Sequence, residues 1–160
     1  MKRFFSLLLV NSLRFLLQAQ QVTPPAVATL TCPATTPTHQ RPPSGNYGNE
    51  FIATTLTEDG KIVFAPGGPG FVLKDGSLAM KQPWWRLVKG QLVIEGHRLD
   101  SPAVPLRAAI PTGYGETGFQ ATGLIFPTPG CWEVKALLGE HSLTFVTEVV
   151  KIGAGPVPSR

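Results

Sequence analysis

Residues 113–151, GYGETGFQATGLIFPTPGCWEVKALLGEHSLTFVTEVVK, decide the fold. The stretch reads as three successive β-strands, roughly 118–126, 131–138 and 142–151. Pro127-Thr128-Pro129-Gly130 and Gly139-Glu140 supply the turn chemistry between them. Side chains alternate across a strand. Trp132, Val134, Ala136 and Leu138 therefore share one face of the middle strand, and Cys131, Glu133 and Lys135 share the other. In the last strand Leu143, Phe145 and Val149 stand opposite Thr144, Glu148 and Val150. The apolar set should face a core, with Cys131 on the outer face, where an N-terminal segment carrying Cys32 could lie across it.

The same grammar runs backwards through the chain. FIATTL and KIVFA flank Glu58-Asp59-Gly60, which reads as a hairpin turn. FVL and SLAM flank Lys74-Asp75-Gly76, and WWRLV and QLVIEG flank Lys89-Gly90. Residues 99–111 contain three prolines and amount to an edge strand at most, because proline cannot donate to a ladder. No window outside residues 1–28 sustains a helical period. Seven or eight short strands in about 100 residues at this spacing define an all-β class. The expectation is one two-sheet antiparallel sandwich, immunoglobulin-like, over residues 51–152. A Pro/Thr/Gly-rich lead-in at 29–50 precedes it and a flexible tail at 153–160 follows.

Residues 1–28 read as a signal peptide. Lys2 and Arg3 form the basic start, Phe4–Leu17 is largely apolar though broken by Arg14, and Ala26-Val27-Ala28 is an A-x-A site, with a cut after Ala19 as the alternative. The uninterrupted apolar run falls far short of the roughly 20 residues that span a bilayer, and no later segment reaches that length, so the mature chain should hold no transmembrane helix. The full chain has 14 Lys+Arg against 10 Asp+Glu. Three of those cations lie in the leader, which leaves eleven against ten, or +1, for the mature chain. No clustered basic face remains, which argues against nucleic-acid binding. Cys32 and Cys131 are the only cysteines, and in an exported chain an even count favours a bridge. Lipidation of Cys32 is the weaker reading, since Thr29-Leu30-Thr31 fits a lipobox badly.

Several short motifs together resemble an uncharacterised family of exported bacterial proteins. They are Tyr47-Gly48-Asn49, Pro83-Trp84-Trp85-Arg86, Gly113-Tyr114-Gly115, Gly118-Phe119-Gln120 and Phe126-Pro127-Thr128-Pro129-Gly130-Cys131-Trp132-Glu133-Val134. The likeness runs from about Cys32 to Ile152. It implies export and a bacterial source, and it carries no activity, cofactor or catalytic residue.

Each candidate chemistry has a plainer explanation. His39, His97 and His141 lie in different segments without zinc-ligand spacing. No G-x-S-x-G surrounds Ser77, Ser101 or Ser142. Glu95, Asp100, Glu116 and Glu133 are ordinary strand-face or turn acids rather than a paired-carboxylate site. Gly67-Gly68-Pro69-Gly70 lacks the lysine and helix of a phosphate loop, and Gly113–Gly118 has no strand-to-helix context. The aromatics are the one constellation of interest. Trp84 and Trp85 are adjacent on a strand and must point to opposite faces; Arg86 shares the face of Trp84, where it could stack on the ring. Tyr47, Tyr114 and Phe119 sit beside Gly-rich turns, and exposed flat rings can bind a sugar or a partner; the plainer reading buries both tryptophans, one in the sandwich core and one beneath the Pro/Gly loop at 65–70.

The sequence thus points to an extracytoplasmic, non-enzymatic sandwich, secreted or of the cell envelope. It would recognise a protein, glycan or envelope component through Trp84, Trp85, Arg86 and Tyr114, with no catalytic residue, metal or cofactor expected. A small secreted hydrolase and a structural accessory of the envelope are the competing classes.

Overall fold

A computed structural model describes residues 31–38 and 44–156. The leader, His39 and residues 157–160 lie outside the described residues. Among the described residues the protein is all-β, with ten strands in two sheets and no helix long and apolar enough to cross a membrane. The strands are β1 Tyr47–Gly48, β2 Ile52–Thr54, β3 Lys61–Phe64, β4 Phe71–Val72, β5 Leu78–Arg86, β6 Leu92–Arg98, β7 Arg107–Ala109, β8 Gly118–Phe126, β9 Gly130–Leu138 and β10 His141–Lys151. Ten strands exceed the expected seven or eight: β1 is a two-residue strand inside the lead-in that no alternation pattern signals, the FVL segment forms a two-residue β4, and the SLAM and WWRLV segments fuse into the single strand β5.

One sheet has the order β1-β2-β5-β8-β7, with β4 also paired to β5; the other has the order β3-β10-β9-β6. Between them lies a single core. Trp84 and Phe126 from the first sheet meet Trp132, Val134 and Phe145 from the second. The centroids of Phe126 and Trp132 lie 5.8 Å apart, edge to face, and those of Trp84 and Phe145 lie 6.1 Å apart. The face assignment read from the sequence holds on β9 and β10: Trp132, Val134, Ala136, Leu138, Leu143, Phe145 and Val149 are all buried. Residues 99–111 contribute only β7, an edge strand.

Two connections differ from the sequence reading. The Glu58-Asp59-Gly60 turn forms, with the Gly60 amide donating to the Thr57 carbonyl, but it does not close a hairpin. It carries the chain from one sheet to the other, so that β3 pairs in parallel with β10 while β2 pairs with β5. The Lys89-Gly90 connection likewise passes between sheets, from β5 to β6. Of these three turns, the one at Asp75-Gly76 alone closes a hairpin, β4–β5. A turn motif reports local backbone geometry and does not say which strand pairs with which.

Cys32 and Cys131 form a disulfide across a sequence separation of 99, with Cα atoms 5.3 Å apart. Cys131 is on the outer face of β9, as its alternation requires, yet only 3% exposed. The N-terminal segment seals it. Thr35 fastens that segment to β10: its amide donates to the Val146 carbonyl at 2.8 Å, and its Oγ1 accepts from the Val146 amide at 2.9 Å. Gly60 makes room for it. Its φ is +67°, and a Cβ there would stand 2.6 Å from the Thr35 carbonyl oxygen. Residues 31–38 and 44–50 of the lead-in are therefore part of the packed unit, and β1 lies among them. At the other end Gly155 and Pro156, which the sequence reading placed in a flexible tail, are buried.

Proline in the long strand β5 has a local explanation. The Pro83 carbonyl accepts from Thr54 Oγ1, on the β2 side. Amide and carbonyl of one strand residue point the same way, so the missing N–H of Pro83 faces the gap between β2 and β4. The ladder with β8 on the other side stays continuous from Leu78 to Arg86.

Candidate recognition site

The end of β5 places three consecutive residues in three different environments. Trp84 points inward and is fully buried; its indole N–H donates to Thr122 Oγ1 at 3.0 Å. Trp85 points outward. Its direct partner on β8 is Phe119, and the rings meet edge to face at 5.7 Å. Phe119 in turn contacts Tyr114 at 6.2 Å. Phe119 is 50% exposed and Tyr114 38%, so the three rings form one contiguous surface patch. Tyr47, by contrast, is structural: its hydroxyl donates to the Thr144 carbonyl, its ring packs on Phe145, and burial pushes its phenol pKa up.

Arg86 points inward beneath this patch and is only 6% exposed. It does not stack on Trp84, as its shared face had suggested. Its guanidinium reaches past the ring to two loop carbonyls: Nη1 donates to Gly90 at 3.1 Å and Nη2 donates to Gly115. The two loops are also tied at the surface, where Lys89 and Glu116 form an ion pair at 2.6 Å. Nε of Arg86 has no partner, and among the described residues no carboxylate pairs with the guanidinium. Arginine cannot shed its charge, and an isolated buried charge is costly unless paired. Gln120 lies on the same inward face, 6% exposed; its Nε2 donates to the Pro111 carbonyl, which fixes the amide's orientation and leaves Oε1 without a partner.

Arg86, Gln120 and Tyr114 line one cavity of about 350 Å³ between β6 and the segment that follows β7. That size lies within the range of small-ligand pockets, about 300–1,000 Å³. Its walls mix apolar side chains, Val93 and Ile110 among them, with these polar groups. A second cavity, about 270 Å³, opens at the gap between β2 and β4 and is lined by Ile62, Met80, Gln82 and Phe145. Its one buried amide is already satisfied: Gln82 Nε2 donates to Thr54 Oγ1 and to the Thr55 carbonyl.

Of the sequence candidates, Arg86 and Tyr114 come together in the cavity, Trp85 joins them through Phe119, and Trp84 belongs to the core. Gln120 was missed. Its signal was alternation, since Gln120, Thr122, Leu124 and Phe126 form the inward row of β8. The other candidates are dispersed. His97 faces Glu133 at 3.8 Å on the surface, and His141 stacks on Phe51. The Ser77 hydroxyl donates to Asp75 inside the β4–β5 turn rather than to a histidine. No family profile, curated protein or solved structure matches this chain.

Proposed function

We propose that the chain is an exported, immunoglobulin-like, non-enzymatic domain. It acts by recognising a ligand at the end formed by Trp85, Arg86, Tyr114 and Phe119. The sheet orders support the immunoglobulin-like reading. Taking β2 and β3 as one first strand divided between the sheets, β2-β5-β8-β7 and β3-β10-β9-β6 follow the two-sheet strand order of that fold. The bridge departs from the antibody pattern, running from an N-terminal extension to β9 instead of between the two sheets. A disulfide and the absence, among the described residues, of a membrane-crossing helix accord with an extracytoplasmic location. The observation that carries the functional reading is the exposed aromatic patch of Trp85, Phe119 and Tyr114, the last of which also lines a cavity beside the buried Arg86, a cation with no acidic partner among the described residues. Exposed apolar surface with convergent polar groups is the usual mark of a binding site.

The test uses intrinsic fluorescence. Trp84 and Trp132 are fully buried and Trp85 is not. Acrylamide should therefore quench Trp85 selectively, and a bound ligand should protect it. A panel of glycans and peptides that never alters quenching in the wild type would count against recognition at this end. So would binding that survives unchanged in both Phe119→Ala and Tyr114→Ala.

A further inference from the structure

We infer that the chain pairs with a second copy of itself through the outer face of the six-stranded sheet. The inference goes beyond the recognition reading and shares only Trp85 and Phe119 with it. An antiparallel sheet with one solvated face alternates apolar-in with polar-out. The four-stranded sheet follows that rule: its outer side chains include Glu95 on β6, Glu133 and Lys135 on β9, and Glu148 on β10. β8 breaks it. Its outward row is Phe119, Ala121, Gly123 and Ile125, without one polar side chain. On β5 the outward row is Ala79, Lys81, Pro83 and Trp85. Lys81 is the one charge in these two rows, and on β7 Arg107 is neutralised by Asp75 at 2.7 Å. The N-terminal segment lies across the other sheet, at Cys131 and Val146. Among the described residues no third layer covers this one.

Three properties select a second copy. The first is size. The β5–β8 ladder is nine residues long, with four strands abreast at either end, β1-β2-β5-β8 and β4-β5-β8-β7. That makes a face of about 30 by 19 Å, or about 570 Å². Two such faces remove at least about 1,100 Å² from solvent, above the roughly 1,000 Å² that a specific interface requires. The second is self-complementarity. A two-fold axis crossing the strands at the level of Gln82 and Thr122 brings Trp85 of one copy over Ala79 of the other, Phe119 over Ile125, and Lys81 over Pro83. Apolar side chains then meet apolar ones, and each lysine meets a proline ring instead of the other lysine. Its aliphatic stem can lie along that ring with the ammonium in water. Contact of one patch with itself about a two-fold axis is the commonest way in which chains associate. The third is chemistry. A sugar needs side-chain donors and acceptors between the rings, and the β8 row offers none. A lipid surface is met by large apolar side chains among several cations; here small side chains lie between the two ends, with a single free cation among the described residues of both rows.

The experiment is sedimentation velocity of the mature, disulfide-bonded protein, with acrylamide quenching of Trp85 in the same samples. The wild type should sediment as a dimer at about 100 μM, with a Kd of about 10 μM or tighter, and quenching of Trp85 should fall as the dimer forms. Ala121→Glu and Gly123→Glu put a carboxylate on the face. A Cβ at Gly123 would meet only the Ala109 Cβ, at 3.4 Å, an ordinary contact, so a single copy should tolerate the change. Each variant should weaken dimerisation at least tenfold and leave the thermal transition of the dilute protein where it was. Lys135→Glu, on the outer face of the other sheet, should leave the dimer intact. A wild type that stays monomeric at about 100 μM overturns the inference, whether or not it then floats with phosphatidylcholine–phosphatidylglycerol vesicles. So does a dimer that survives both face variants. The recognition reading fails separately, if no glycan or peptide protects Trp85 in monomeric Ala121→Glu protein.

Discussion

Replacing Trp132 with alanine should cost the domain about 4–5 kcal/mol. Its side chain is fully buried on the inner face of β9. Deleting a buried large aromatic side chain costs about 3–5 kcal/mol through lost transfer energy and the cavity left behind. The edge-to-face contact with Phe126 adds about 0.5–1.5 kcal/mol. The indole N–H donates to the Thr128 carbonyl at 3.0 Å, but Thr128 is exposed, so water regains that acceptor and the hydrogen bond adds little. Domains are stable by about 5–15 kcal/mol, so the loss removes a large share of the total. Urea denaturation followed by the fluorescence of Trp84 and Trp85 should show the midpoint falling by about 2–3 M for a slope near 1.5–2 kcal/mol/M. Trp132→Phe, which keeps an edge-to-face ring, should fall between this and the wild type. Glu133→Ala is the control. Glu133 points outward and its surface contact with His97 spans 3.8 Å, so it should change stability by no more than about 0.5 kcal/mol. If Glu133→Ala costs more than Trp132→Ala, the inner and outer faces of β9 are inverted, and the core described above is wrong.

Three further outcomes are expected. Reducing the Cys32–Cys131 bridge should lower stability by about 4–5 kcal/mol on the chain-entropy account of a loop near 100 residues, read as a shift in thermal midpoint with and without reductant; an unchanged midpoint would show that the bridge is idle. Stability should decline at both ends of the pH range. Hydrogen bonds from Ser77 to Asp75 and from Arg98 to Asp100 hold those carboxyls below the ordinary range, so their contribution is present above about pH 4 and lost as pH falls through the folded values; burial raises Tyr47, whose contribution is present below about pH 10 and lost as pH rises. Asp100→Asn should flatten the acid limb of a Tm-versus-pH profile and Tyr47→Phe the alkaline limb, and parallel profiles would refute the assignment. Finally, N-terminal sequencing of extracytoplasmic material should begin at Thr29; a chain still starting at Met1 would exclude cleavage.

Period-two alternation made β8, β9 and β10 legible almost to the residue, because each is long and buries one face. The same rule located Cys131 on the outer face and so anticipated a segment lying over it. Sheet membership was not legible. Asp59-Gly60 announces a turn, but the partner of Lys61–Phe64 lies some 87 residues away at Glu148–Lys151, and nothing local encodes a parallel pairing over that distance. The site was half legible. Alternation alone puts Arg86 inward beside Trp84. That it lacks an acid partner follows only from three-dimensional placement, as does the meeting of Gln120 with the loop carrying Tyr114.

The most direct test of recognition at this end is an amide chemical-shift map of the mature protein titrated with the same panel of glycans and peptides. Shifts confined to Trp85–Arg86, Gly90–Ile94 and Ile110–Gln120 are the predicted result. Shifts centred instead on Ile62, Met80 and Gln82, at the gap between β2 and β4, would contradict it.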